Sequence, residues 1–338
     1  MLHSKLKVAA KPILLSALAV SACLAATVSW AKSDYPSHAI TLITPYSTGG
    51  DSDLAARNFS AVAQKYLGQP VVVVNKPGAS GVIGSDQGRL ANPDGYTLLL
   101  SRPGSQAILP AISPTKTKYK WSDFTPIGLL ELNPYGCYVR GDSPYKNFKD
   151  LEKALHAKGA KMNYGTAGAL TTNDMGPKLL FDTLKLGDKV PTQIPYKGTG
   201  EATSALLAGQ IDFSCSSIGP ANGLIKAGNL RALFVTTPER LKSLPDVPTS
   251  KELGLAKMEQ ITGWSGISGP PGMPAEIVAK LWKAMEETGK DAAWIRATEN
   301  AGSVPFIKGP TDAKTFTQGQ YEVYHELGKS LGLIDQVK

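Results

Sequence analysis

The chain has 338 residues of ordinary soluble composition, 42% hydrophobic and 19% charged, with a formal net charge of +8. Its basic residues, such as Lys116, Lys118, Lys120, Lys146, Lys149, Lys153, Lys158 and Lys161, are scattered among Tyr, Ser and Asp. That excludes the dense basic stripe of a nucleic-acid binder, although a weak positive field favours the arrival of small anions.

At the N-terminus, Lys5, Lys7 and Lys11 precede an uncharged run from Pro12 to Val28 and then Ser29-Trp30-Ala31. This order reads as a secretory signal peptide cleaved after Ala31, because the run falls short of the roughly 20 apolar residues that span a bilayer. Val20-Ser21-Ala22-Cys23 also resembles a lipoprotein box, but Leu24 to Val28 stays apolar where a lipidated Cys23 needs a polar tether. Cleavage removes three lysines and no acid, taking +8 to +5, and leaves about 307 residues, enough for one large domain or two smaller ones. Cys137 and Cys215 remain, in a compartment that permits a disulfide; their spacing alone does not say whether they pair.

Strand-like runs follow at 39–44 (AITLIT), 71–75 (VVVVN), 96–101 (YTLLLS), 137–140 (CYVR), 211–215 (IDFSC), 231–237 (RALFVTT) and 263–268 (GWSGIS). They alternate with helix-like segments, which predicts an α/β fold with largely parallel sheets. Ala55, Phe59, Val62 and Tyr66 recur at helical spacing with Gly68 as a stop, so a helix begins near Asp53. Residues 274–289 predict another, with Ile277, Leu281, Trp282 and Met285 on one face, and Pro310 to Leu331 a third. Proline-rich stretches at 120–136 and 238–255 interrupt the alternation and read as crossings between domains. The expected organisation is a leader at 1–31, a discontinuous domain 1 of 32–133 plus 258–338, and domain 2 at 134–257.

The loop Pro45 to Ser52 (PYSTGGDS) lies between the first strand and the first helix. A helix N-terminus exposes unpaired N–H groups and the positive end of a dipole, which suits a carboxylate. Gly49 and Gly50 permit close backbone approach, and Ser47 and Thr48 add hydroxyls. Similar Gly, Ser and Thr loops recur at 76–81, 102–106 and 166–174. In open α/β sheets ligands bind beyond the strands' C-terminal ends, so these loops predict a cleft between two domains. Arg102 follows an apolar strand directly and has the fork to grip a carboxylate; Asp53 suits the helix cap, and Asp51 either caps the helix or repels an anion, a choice that the residues leave open.

Catalytic motifs fail in turn. Gly328-Lys329-Ser330 lacks the phosphate loop's glycine at 323, Gly198-Thr199-Gly200 lacks the dinucleotide fingerprint's third glycine at 203, and Gly263-Trp264-Ser265-Gly266-Ile267 misses G-x-S-x-G. His38, His156 and His325 have no ligand spacing for a metal. No enzyme activity, metal or cofactor is expected.

The segments YPSHAITLITPYSTGGDSDLAAR, LGQPVVVVNKPGASGVIGS, NPDGYTLLL, VPTQIPYKGTGEATSALLAGQIDF, LPDVPTSKELGL and GPPGMPAEIVAKL together resemble the Bug receptors, the extracytoplasmic solute receptors of tripartite tricarboxylate transporters. The resemblance implies a periplasmic, type II-like clamshell of two α/β domains. It implies a ligand carboxylate held by backbone amides of Ser47 to Gly50 and of Gly165 to Thr172, with Asp53 matching the family's Gly-Gly-x-x-Asp pattern. The expected ligand-binding set is Tyr46, Ser47, Thr48, Gly49, Gly50, Asp53, Ala79, Ser80, Arg102, Gly165, Thr166, Ala167, Gly168, Thr171 and Thr172. A dicarboxylate, linear or aromatic such as terephthalate, is expected from Arg102 as a second grip and Tyr46 against an apolar body. The implied partners are the membrane permease subunits, with no nucleic acid, and the receptor is expected to be monomeric. A sensor feeding a histidine kinase would use the same clamshell; a secreted hydrolase would need a nucleophile and base that the sequence does not offer.

Overall fold

The computed structural model describes Met1 and residues 35–334. The expected leader, its cleavage point and Cys23 lie outside the described residues. Among those that are described, no helix is long and apolar enough to cross a membrane.

The chain opens with strand β1 (Ile40–Thr44), helix α1 (Asp51–Leu67) and β2 (Val71–Asn75), then α2 (Val82–Arg89) and β3 (Thr97–Ser101). β1 pairs in parallel with β2 on one side and β3 on the other. The apolar face of α1 follows its expected spacing, with Ala55, Ala56, Phe59 and Ala63 buried, and it starts at Asp51, two residues before the expected position. A π turn (Gly104–Ile108) and the short α3 (Leu109–Ile112) follow β3.

The stretch 120–136 is not irregular throughout, although the chain does pass from one sheet to another within it, at Pro134. It holds β4 (Thr125–Asn133), a nine-residue strand buried over most of its length. Pro126 and Gly128 made it read as irregular, but Pro126 sits at the strand's start, where a missing N–H is tolerated. β5 (Tyr135–Arg140) begins two residues after β4 ends and belongs to a different sheet.

Next come α4 (Phe148–Lys158), β6 (Asn163–Thr166), α5 (Thr172–Thr183), β7 (Thr192–Pro195), α6 (Thr199–Leu207), β8 (Ser214–Ser217), α7 (Gly219–Lys226) and β9 (Leu230–Val235). Residues 238–255 are irregular apart from one short 3₁₀ turn, as expected. β10 (Gly263–Gly269), α8 (Ala275–Lys290), α9 (Ala292–Asn300), β11 (Val304–Lys308) and α10 (Pro310–Ser330) complete the chain.

The strands form a six-stranded sheet in the order β11-β4-β10-β3-β1-β2, a three-stranded sheet β8-β5-β9 and a parallel pair β6-β7. Strands from both ends of the chain therefore share the large sheet, while residues 135–235 supply the two smaller ones. The sheets are mixed: β10 runs antiparallel to β3 and β4, and β5 is antiparallel to β8 and β9.

Cys137 and Cys215 stand directly opposite in the β5–β8 register and form a disulfide, which settles the pairing that their spacing left open. One apolar cluster joins Ile108, Leu129, Tyr324 and Leu327 beside the large sheet to Leu179, Phe213 and Phe234 beside the smaller ones. Among the described residues, the chain from Pro36 packs as one compact unit.

Candidate functional site

Three strand–loop–helix units point their helix N-termini at one place: β1 into α1, β6 into α5, and β7 into α6. The helices are 17, 12 and 9 residues long, long enough for each to present several unpaired N–H groups. Each preceding loop is held by an acid in the helix's first turn that accepts a backbone N–H four residues upstream. Asp53 Oδ2 takes Gly49 N–H at 3.0 Å, Asp174 Oδ2 takes Leu170 N–H at 2.8 Å, and Glu201 Oε2 takes Lys197 N–H at 3.1 Å.

The loops also touch one another. Ser47 N–H donates to Lys197 O at 3.3 Å. A Cβ on Gly200 would lie 2.8 Å from the carbonyl carbon of Gly49, and one on Gly168 would lie 2.6 Å from Ser80 Oγ. Glycine at these two places is what lets the loops of residues 45–50 and 78–81 meet those of 167–171 and 196–200.

Between them lies a polar cavity of about 20 Å³, lined by Tyr46, Asp51, Arg102, Tyr135, Thr172, Asn173 and Thr199 among others. That volume holds about one water, so a larger guest requires the loops to part. A hydrogen-bonded chain runs through its walls. Tyr135 OH donates to Asn173 Oδ1 (2.8 Å), Asn173 Nδ2 to Thr199 Oγ1 (3.0 Å), and Thr199 OH to Asp51 Oδ1 (3.3 Å). Arg102 Nη2 donates to Asp51 Oδ2, and its Nη1 donates to Asn133 Oδ1 at 2.6 Å and to Ser265 Oγ. The two side chains of the ion pair are 4% and 9% exposed, so its charges interact with little screening by water.

Behind the pair, Glu131 accepts from Asn133 Nδ2 at 2.7 Å and from Ser265 OH at 3.3 Å. Burial pushes its carboxyl up to about 7, against the pull of those two hydrogen bonds and of Arg102. Burial also raises the Tyr46 and Tyr135 hydroxyls far above their ordinary value. Both phenols stay neutral, as hydrogen-bonding groups.

Residues 55–333 match the tripartite tricarboxylate transporter family receptor model. The chain belongs to this family.

A protein of Agrobacterium vitis from the TAR-I ttuE-ttuC' intergenic region is 36% identical over 289 residues, covering 86% of this chain and 82% of its own. The structure of the periplasmic binding protein BugD superposes with a TM-score of 0.84 at 30% identity, covering 89% of this chain and 99% of BugD. MatC of Rhodopseudomonas palustris, solved with bound malate, superposes with a TM-score of 0.81 at 29% identity, covering 87% and 100%. The protein is thus a periplasmic solute-binding receptor of a non-enzymatic family, with the α/β fold of periplasmic binding proteins.

In this receptor the expected binding residues separate into three groups. Tyr46, Arg102, Ala167, Thr171 and Thr172 line the cavity. Ala79, Ser80 and Gly168 line an outer groove of about 420 Å³, and Thr48 and Gly49 another of about 570 Å³. Ser47 is packed against Gly198, and its hydroxyl is buried without a hydrogen-bond partner among the described residues. Gly50 caps α1 and abuts the Thr199 and Gly200 backbone.

The third group faces inward. Asp53 holds Gly49, Arg57 and Asn75; burial opposes its charge, but these bonds outweigh burial and keep its carboxyl below the usual range. Thr166 Oγ1 accepts from Gln193 and from Gly168 N–H, and Gly165 packs against Ile211. Tyr135, Asn173 and Thr199 were not foreseen. Thr199 has a signal in the sequence: KGTG follows a strand and opens a helix, as the first loop does.

Proposed function

We propose that the receptor captures a small carboxylate between the loops that precede α1, α5 and α6, and delivers it to membrane permease subunits of a tripartite tricarboxylate transporter. The convergence of three helix N-termini on one polar cavity carries this reading, because N–H groups and dipole ends together favour an anion. The buried, unpartnered Ser47 hydroxyl adds a donor at the same loop contact. The malate bound to MatC supports a ligand that is a small carboxylate.

The chain crosses between sheets at Pro134 and again before β10. We take residues 32–133 plus 258–338 and residues 134–257 as two lobes that part to admit the ligand and close on it, presenting a changed surface to the permease. The expectation that Arg102 holds a second carboxylate meets a competitor, Asp51, which already occupies the guanidinium.

A thermal-shift screen of the purified protein tests the reading. The panel contains aliphatic dicarboxylates, tricarboxylates, acidic amino acids, nicotinate and terephthalate. A ligand at 100 times its Kd stabilises by about 2.7 kcal/mol, which raises Tm by several degrees. A hit confined to carboxylates is expected. No shift with any of them, after unfolding and refolding to strip co-purified ligand, would overturn the assignment.

A further inference from the structure

Resting on the carboxylate-receptor reading, we propose that Asp51 is the specificity-determining residue of the cleft, admitting carboxylates whose far end is an uncharged or cationic hydrogen-bond donor and rejecting dianions. Arg102 is the single basic residue among the described residues that line the cavity. Its two terminal nitrogens are taken: one by Asp51, the other by Asn133 and Ser265. A second ligand carboxylate would therefore meet a guanidinium already neutralised, beside a carboxylate of its own sign.

Asp51 is not free to step aside. It is the first residue of α1, so its backbone is fixed by the helix, and leaving Arg102 would strand a charge whose side chain is only 9% exposed, at the cavity wall. Other charges nearby bring no relief. Asp53 is matched by Arg57 and Asp174 by Lys178, each pair within its own helix. Asp51 has lone pairs beyond the two that Arg102 and Thr199 use. An ammonium, amide or hydroxyl of the ligand is the complement to those, while the ligand's one carboxylate goes to the helix N-termini.

The test compares a diacid with its own monoamide, so that shape is held and one charge is removed: succinate against succinamate, and adipate against its monoamide. If the thermal screen has already given a carboxylate of another skeleton, the pair is made from that ligand. Calorimetric titration of the wild-type protein should show the monoamide binding at least 10-fold tighter than the diacid. Asp51→Asn frees Arg102 and should reverse the order, whereas the double variant Asp51→Asn, Arg102→Gln should not.

A wild-type preference for the diacid, or a ratio unmoved by Asp51→Asn in a protein whose circular dichroism is native, would overturn the proposal. The wild-type ratio needs no variant, so it can do so even if Asp51→Asn fails to fold. Failure of the underlying reading looks different: neither member of any pair binds, and the screen finds no carboxylate.

Discussion

The loop before α1 and the loop before α5 are built with the same local device. In the first, Asp53 accepts the N–H of Gly49 and pairs with Arg57; in the second, Asp174 accepts the N–H of Leu170 and pairs with Lys178. Each acid thus ties the residue four before it to the residue four after it. The loops differ in what they turn toward the cavity: α1 presents the Asp51 carboxylate, α5 the neutral Thr172 and Asn173. The device that fixes the loop is thereby separate from the group that meets the ligand, so one can change without the other.

The largest expected effect comes from the charged side of that comparison. Arg102→Met leaves Asp51 buried and unpaired, which costs about 3–5 kcal/mol, and adding Asp51→Asn should recover most of the loss. Urea denaturation measures both; a loss under about 1 kcal/mol for Arg102→Met would mean that the pair is not buried as described. Next in size is the contrast between the two anchors. Asp174→Asn should cost about 2 kcal/mol and Asp53→Asn about half that, because both acids are buried but the cation paired with Asp174, Lys178, is 28% exposed whereas that paired with Asp53, Arg57, is 53% exposed. Equal losses would erase the distinction.

A smaller effect depends on pH. The Glu131 carboxyl titrates near 7 in the folded protein against its ordinary value of 4.5. The native state holds that proton more tightly, so the contribution is fully present below about pH 4.5 and is lost as pH rises through about 7. Stability measured across that window should fall for wild type relative to Glu131→Gln by at most about 1.4 kcal/mol per pH unit. Parallel curves would place Glu131 in contact with water. The smallest change is Gly49→Ala: φ is +75° with open space around the missing Cβ, so only backbone strain of about 1 kcal/mol is expected.

Much of this was legible in the chain's periodicities. The strands at 71–75 and 96–101 and the helix face of Ala55, Phe59 and Tyr66 announce themselves through apolar spacing, and the Gly-Gly loop through its place between them. What escaped had a physical reason in each case. Strand β4 carries a proline and a glycine that read as breakers, yet its neighbours β10 and β11 supply the pairing that overrides them. Strands β7 and β11 are short and only partly buried, leaving little apolar pattern to detect. The Arg102–Asp51 pair joins residues 51 positions apart, a contact that no local spacing encodes. Asn133 and Ser265 are likewise joined to Arg102 only by the order in which the large sheet is assembled.

The central claim is that the ligand's carboxylate sits where α1, α5 and α6 converge. A crystal structure of the receptor with the tightest ligand from the thermal screen tests it most directly. The account predicts a carboxylate within hydrogen-bonding distance of the first-turn N–H groups of α5 and at least one of the other two helices, with Asp51 still on Arg102. The contradicting result is a ligand elsewhere, for example in the cavity of about 110 Å³ lined by Trp121, Phe124 and Trp264 beneath α10, with the cleft unchanged.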